Sequence, residues 1–212
     1  LQFIYRNMSG QALGGPIDAQ HPGAAEALAA LAALDSGEPH DRREVVSLIN
    51  RLHTSSPQST YSRAMRILAY SRMRSGDVRD RMRQDVEWLV RQQQPSGGWG
   101  YGPGHPATAI RADWVDSGNT GLAIMALDEA RAAGAAVAPE VWDRAAEFWL
   151  RSQNGDGGWG LDPGWGTSFR LRGDSYGTMT AGGLVSLRIL TDRAIAAGRD
   201  PAPLAAAMER GE

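Results

Sequence analysis

The chain has 212 residues, of which 42% are hydrophobic and 22% are charged, an ordinary globular composition with enough length to bury a core. Its 22 basic and 24 acidic residues nearly cancel, so the overall charge provides no electrostatic footprint for a nucleic acid. The chain contains no cysteine, which excludes disulfides, thiolate metal sites and cysteine nucleophiles and leaves the cellular compartment undetermined.

The N-terminal stretch differs in composition from the rest. Residues 1–21 are rich in Gly, Pro and Gln around one short apolar patch and are predicted to form an irregular arm. Residues 22–212 are predicted to form one helical domain, which is either complete or a fragment of a larger one. No apolar run approaches the roughly 20 residues of a membrane-spanning helix, so no transmembrane segment is predicted.

Apolar side chains at helical spacing, bounded by Gly, Pro and Ser, predict eight helices. Two polar motifs of the Asp-Ser-x-x-Thr type, at Asp116 and Asp174, are predicted to open the fifth and seventh helices. No segment alternates with period two long enough to indicate a sheet. The fold is therefore predicted to be all-α, with eight helices in about four antiparallel hairpins. In chain order the predicted helices cover 23–34, 41–53, 60–73, 78–92, 116–133, 139–153, 174–198 and 201–212.

Two long loops, 95–115 and 154–173, interrupt the helical pattern and are rich in Gly and aromatic residues. Loops of this length in compact domains tend to be functional or disordered. Their aromatic side chains suit an apolar ligand, a carbocation, a sugar ring or a peptide, although they could instead plug the loops over the helix ends. The residues predicted to bind a ligand are Trp99, Tyr101, Trp114, Trp159 and Trp165.

One sequence element occurs twice. A Trp-Leu-x-x-Gln string at 88–92 and 149–153 is followed by Gly-Gly-Trp-Gly at 97–100 and 157–160. Glycines permit positive φ and close backbone approach, and a Gln amide can donate to carbonyls at a helix end. The motif is therefore interpreted as a structural staple between successive hairpins.

Within this staple, two glutamines carry the most specific expectation. Gln92 and Gln153 are predicted to cap helix ends beneath Trp99 and Trp159. Replacing either Gln should lower stability before it alters any binding.

These residues resemble a known family. Trp88…Gln92…Gly98-Trp99, with its second copy at 149–159, is similar to the QW repeat of the prenyltransferase and squalene-oxidase/cyclase superfamily. The resemblance covers roughly 22–200 and implies an α/α toroid, two concentric layers of helices around a cavity. The helix openings at Thr60-Tyr61 and at 176–181 also resemble those of bacterial repeat proteins without assigned catalysis.

The predicted number of hairpins bears on partners. Four hairpins fall short of the roughly six that the resembled family uses to close a toroid, so they would form an open arc. An open edge favours a protein partner or self-association, and the resemblance implies an apolar, isoprenoid-like ligand.

The catalytic groups of that family are only weakly represented. Class II terpene cyclases protonate an alkene with an Asp-x-Asp-Asp element, which needs a strongly acidic carboxyl in a dry cavity. The nearest string here is Asp113-Trp114-Val115-Asp116, so Asp113, Asp116 and Asp174 are the weak catalytic candidates. Other acidic residues, such as Asp85, are interpreted as solvated among arginines.

No metal or cofactor is predicted, because cysteine is absent and the four histidines show no metal-ligand spacing. The favoured function is a non-catalytic scaffold or binding module for an apolar ligand or a protein partner. The alternative is a divergent terpene or triterpene cyclase with an Asp general acid. A carbohydrate-active α/α barrel would need two facing carboxylates about 5–10 Å apart.

Overall fold

The computed structural model describes residues 21–73, 76–103, 113–162 and 173–212. These ranges contain eight helices and no strand beyond an isolated bridge between Trp99 and Asp116, which confirms the all-α prediction. The helices are α1 (Ala24–Asp35), α2 (Arg43–Thr54), α3 (Thr60–Ser71), α4 (Gly76–Gln92), α5 (Ser117–Ala132), α6 (Pro139–Ser152), α7 (Gly177–Ala196) and α8 (Ala202–Gly211).

The odd-numbered helices α1, α3, α5 and α7 pack side by side in one row. Arg72, just after α3, donates to Asp35 of α1 at 2.8 Å and to Glu129 of α5 at 2.7 Å. Arg193 of α7 lies 3.5 Å from Asp128 of α5. All five residues lie near the C-terminal ends of their helices, so the row is parallel and its N-terminal ends lie along one edge.

The even-numbered helices form a second layer against this row. Helix α2 packs on α1, α4 packs on α3 and α5, and α6 and α8 pack on α7. The guanidinium of Arg63 in α3 lies 4.8 Å from the ring centre of Trp88 in α4, and Arg66 Nε lies 2.7 Å from the Asp85 carboxylate. Because the contacts run in opposite directions along the two helices, α3 and α4 are antiparallel.

The core lies between the two layers. Burying a large apolar side chain stabilises a fold by roughly 1.5–3 kcal/mol, so the odd row alone, open on both faces, would lose most of its driving force. The largest fully buried side chains are Leu48, Leu52, Ile67, Tyr70, Leu89, Trp99, Ile124, Leu127, Phe148, Trp149, Trp159 and Leu187.

The interpretation of Asp85 as a solvated charge is wrong. Its side chain is fully buried, and it accepts hydrogen bonds from Arg63 at 2.6 Å and from Arg66 at 2.7 and 2.8 Å. Arg66 also donates to the carbonyls of Leu52 and Ser55 at the end of α2. A buried carboxylate needs such partners, because an unpaired one is strongly destabilising.

The predicted start of the seventh helix is also wrong. Helix α7 begins at Gly177 with Tyr176 as its N-cap, so Asp174 and Ser175 precede it. The Ser175 hydroxyl instead donates to Asp156 and accepts from Asn154 in the preceding loop. The Asp-Ser-x-x-Thr motif predicted the wrong helix start, because the hydroxyl of Ser175 bonds to Asp156 and Asn154 of the preceding loop and does not cap the helix.

Two predictions fall outside the described residues. The N-terminal arm lies there except for His21, and so does Trp165. In the part of the chain that the structure describes, none of the helices is both long enough and apolar enough to cross a membrane.

Candidate functional site

Two loops with the same contacts join the layers at the N-terminal edge of the odd row. We call residues 93–101 and 153–161 the bridging loops. The Trp99 carbonyl accepts the N–H of Asp116 at the start of α5, and the Trp159 carbonyl accepts the N–H of Tyr176 at the start of α7. These carbonyls satisfy N–H groups that a helix start otherwise leaves without partners.

Each bridging loop also reaches back to the preceding odd helix. The Tyr101 carbonyl accepts the N–H of Thr60 in α3, and the Leu161 carbonyl accepts the N–H of Ser117 in α5. One loop therefore ties α3 to α5, and the next ties α5 to α7 in the same way.

The two tryptophans of the bridging loops are fully buried. Trp99 Nε1 donates to the Leu89 carbonyl at 2.7 Å, and Trp159 Nε1 donates to the Trp149 carbonyl at 3.1 Å. The backbone N–H groups of these tryptophans donate to the hydroxyls of Thr120 in α5 and Thr180 in α7. Each tryptophan thus links the end of an even helix, through its indole, to the start of an odd helix, through its backbone N–H. Ligand contact by these rings stays a prediction.

The glutamine of the first bridging loop that corresponds to Gln153 is Gln93, so the prediction for Gln92 is wrong. Gln93 Nε2 donates to Gly97 O at 2.9 Å and to Val141 O of α6 at 3.0 Å. Gln153 Nε2 makes the equivalent bonds to Gly157 O and to Ala207 O of α8, both at 2.7 Å. The spacing of the Trp-Leu-x-x-Gln motif indicated Gln92, whereas the next residue of the Gln92-Gln93-Gln94 run makes these bonds.

An arginine completes each of these glutamine sites. Arg144 of α6 donates to Gln93 Oε1 at 2.6 and 3.0 Å, and Arg210 of α8 donates to Gln153 Oε1 at 2.5 and 3.1 Å. The glutamine amide therefore links its loop to the next even helix, a role that the sequence did not reveal because the partners lie more than 40 residues away.

The first bridging loop differs from the second by an aromatic cluster. The ring of His21 lies 5.0 Å from Tyr61 and stacks on Tyr101 at 6.1 Å. His21 Nδ1 lies 2.9 Å from the hydroxyl of Ser59, the N-cap of α3. The sequence identified only Tyr101 of this group, because rings 40 residues apart carry no local signal.

Asp116 is the only one of the three acidic candidates that is buried. It is 2% exposed and is the N-cap of α5, with Oδ1 accepting the Asn119 N–H and Oδ2 accepting the Asn119 side-chain amide, both at 2.7 Å. Burial raises the pKa of Asp116 above its ordinary value, and the bonds from Asn119 oppose the shift. Burial and the nearby Asp116 carboxylate also raise the pKa of Tyr101.

The other candidates lie at the surface of the same edge. Asp113 and Asp174 are exposed, and Trp114 is half-buried beside Asp116. The described residues contain no group of three or more His, Asp or Glu side chains placed to hold a metal ion.

A second surface of interest lies on the side of the odd row away from the even helices. Helical periodicity from Asp35, Arg72 and Glu129 places apolar residues on that side of α1, α3 and α5. On α7, Val185 lies on the opposite side of the helix from the buried Leu187 and Leu190. Leu28 is 52% exposed and Val185 is 47% exposed, whereas the other members are half-buried. We call this the odd-helix face, and its apolar members are Leu28, Leu68, Leu122, Met125 and Val185.

The odd-helix face has distinct ends. Tyr61 of the aromatic cluster lies one and a half to two turns before Leu68 on α3, at the N-terminal edge. The Asp35–Arg72–Glu129 ion pairs close the other end. From Tyr61 to Arg72 the odd-helix face extends about 16 Å along the axis of α3, at 1.5 Å per residue.

Comparison of the chain with family models, with curated proteins and with solved structures finds no significant match. The resemblance to the QW-repeat superfamily therefore depends on the quoted motifs alone.

Proposed function

We propose that this chain is a terpenoid-cyclase-like helical repeat domain that binds an apolar ligand on the odd-helix face and does not transform it. The observation that carries the proposal is the odd-helix face itself. Four parallel helices present aligned apolar side chains, two of them about half exposed, on the side that in an α/α toroid would face the cavity.

The repeat part of the proposal is supported by the bridging loops. The bonds of Gln93, Trp99 and Thr120 recur at Gln153, Trp159 and Thr180, an offset of 60 residues. Such recurrence is expected when one helical unit is stacked on the next in an arc.

The proposal is tested by the binding of farnesol, measured by isothermal titration calorimetry. Glu in place of both Leu28 and Val185 should weaken binding at least tenfold, because two carboxylates in an apolar site oppose an uncharged ligand. Val46→Glu on α2 is the matched control, since Val46 is 40% exposed outside the odd-helix face. Bound farnesol should be recovered unchanged.

Two results would contradict this reading. Equal binding by the wild type and the double variant would remove the odd-helix face as the site. If farnesol does not bind, but the double variant alone abolishes self-association in sedimentation experiments, the face is a protein interface.

The second candidate, a class II cyclase, is favoured by the burial of Asp116 beside Trp114 and Tyr101. Against it, a raised pKa makes a carboxyl a weaker acid, whereas protonating an alkene needs a stronger one. Incubation with squalene or geranylgeranyl diphosphate, followed by mass spectrometry, separates the two functions. A cyclised product that disappears in Asp116→Asn or Asp113→Asn would establish the cyclase.

A further inference from the structure

A separate cavity lies where α6, α7 and α8 meet, at the C-terminal edge of the odd row. Its volume is about 330 Å³, within the roughly 300–1,000 Å³ of small-molecule sites. Its wall is mostly apolar, formed by Val137, Trp142, Ala146, Leu190, Ala194 and Leu204. It is remote from the bridging loops, which lie at the opposite edge.

Two arginines give the cavity a charged side. Arg131 at the end of α5 and Arg193 of α7 both line it, and both approach the same carboxylate, Asp128, at 3.3 and 3.5 Å. Asp143 on the other side pairs with Arg199. Three arginines thus meet two aspartates, which leaves one positive charge at a predominantly apolar cavity.

From this combination we propose that the cavity binds an amphipathic anion, a carboxylate carried on a short apolar chain. The chain would lie against Trp142 and Leu190, and the carboxylate would accept from Arg193 and Arg131 in place of part of their contact with Asp128. Arginine suits this role because its planar fork binds carboxylates with two parallel hydrogen bonds. A volume of about 330 Å³ lies at the lower end of the range of small-molecule sites, so the ligand is expected to be small.

Octanoate is the probe, with octyltrimethylammonium and acetate as comparison ligands, each titrated into the whole chain by calorimetry. Octanoate should bind saturably and at least tenfold more tightly than either comparison ligand. The cation carries the tail without the complementary charge, whereas acetate carries the charge without the tail.

Two variants locate the site, each with a matched control. Arg193→Gln should weaken octanoate binding about tenfold, whereas Arg188→Gln, 71% exposed on the same helix, should leave it unchanged. Ala197→Phe should abolish binding by filling the cavity. Ala133→Phe should not, because Ala133 is also an exposed C-cap residue with nearly the same φ and ψ but does not line the cavity.

Thermal unfolding of each variant shows whether it folds, and Arg131→Gln replaces Arg193→Gln if the latter does not. The proposal is overturned if octanoate shows no saturable binding, if octyltrimethylammonium binds equally well, or if Ala197→Phe binds octanoate like the wild type. Farnesol is uncharged and is tested at another surface. The outcome of the farnesol experiment and the outcome of the octanoate experiment are therefore independent of each other.

Discussion

At the scale of single residues, the side chains that hold this fold together are polar groups buried at helix ends. Gln153 is 8% exposed, and its amide joins the second bridging loop to α8 while its oxygen accepts from Arg210. Such groups are costly to remove, because their partners lose a hydrogen bond without regaining water.

We therefore expect Gln153→Ala to lower the free energy of unfolding by about 2–3 kcal/mol, since two buried carbonyls and one guanidinium lose a partner. Gln92→Ala is the control, because Gln92 is half-buried and takes no part in the bonds of the bridging loop that Gln93 makes, and it should change the free energy of unfolding by less than about 0.5 kcal/mol. Urea denaturation followed by circular dichroism measures both. A larger loss for Gln92→Ala than for Gln153→Ala would refute the assignment of the glutamine role.

Asp116 gives a pH-dependent prediction. The pKa of Asp116 in the folded protein is raised above its ordinary value of 3.8. At a pH between the unfolded-state pKa and the folded-state pKa, the folded protein therefore binds more protons than the unfolded one. The contribution of Asp116 to stability is therefore fully present below the unfolded pKa and is lost as pH rises through the folded pKa.

Asp116→Asn removes this titration while keeping an oxygen for the Asn119 N–H. The stability of the wild type relative to Asp116→Asn should therefore decrease as pH rises from 4 toward 7. Urea denaturation of both proteins across this range measures the difference. A difference that stays flat or increases with pH would show that the pKa of Asp116 is not raised.

At the scale of helices and loops, the bridging loops depend on backbone approaches that leave no room for a side chain. Gly97 and Gly157 have φ of 91° and 89°, and a methyl group on either would overlap the carbonyl of Arg144 or Arg210. The loops can lie this close to α6 and α8 only because these positions are glycine.

Gly97→Ala should lower the free energy of unfolding by about 3 kcal/mol or more, since backbone strain and steric overlap add. The control is Gly134→Ala, at φ 98° with open space around the added carbon, which should cost only about 1–2 kcal/mol of strain. Thermal or urea unfolding compares them. Equal losses would mean that α6 does not approach the loop as described.

Helices were more predictable from the sequence than the contacts between them. Helical spacing gave all eight helices of the described ranges, with most ends within a few residues, because each helix buries one apolar side. The errors at Gln92, Asp85 and Asp174 share a cause. In each case the local sequence was compatible with two structures, and a hydrogen bond to a residue distant in the chain selects one of them. These bonds are Gln93 to Val141, Arg66 to Asp85 and Asn154 to Ser175.

The candidate site was less predictable. Trp99, Tyr101 and Trp114 were identified from the loop composition and Asp116 from the Asp113-Trp114-Val115-Asp116 string, and the structure brings them to one edge of the odd row. The odd-helix face was missed, because helical periodicity shows that a side chain is apolar without showing whether the second layer covers it.

At the scale of the whole molecule, the two layers are unequal. The even helices cover one side of the odd row, and the opposite side keeps an apolar surface between an aromatic edge and a line of ion pairs. A non-catalytic ligand-binding function requires that this opposite side, and not the outer surface of the even helices, contacts the ligand.

Photolabelling tests that requirement most directly. A farnesol analogue carrying a diazirine is irradiated with the protein, and the labelled peptides are identified by mass spectrometry. If the ligand binds the odd-helix face, labels are expected on α1, α3, α5 and α7 at or beside Leu28, Leu68, Met125 and Val185, and excess unlabelled farnesol should prevent this labelling. Labels concentrated on α2, α4 and α6, or labels that excess farnesol does not reduce, would contradict binding at the odd-helix face.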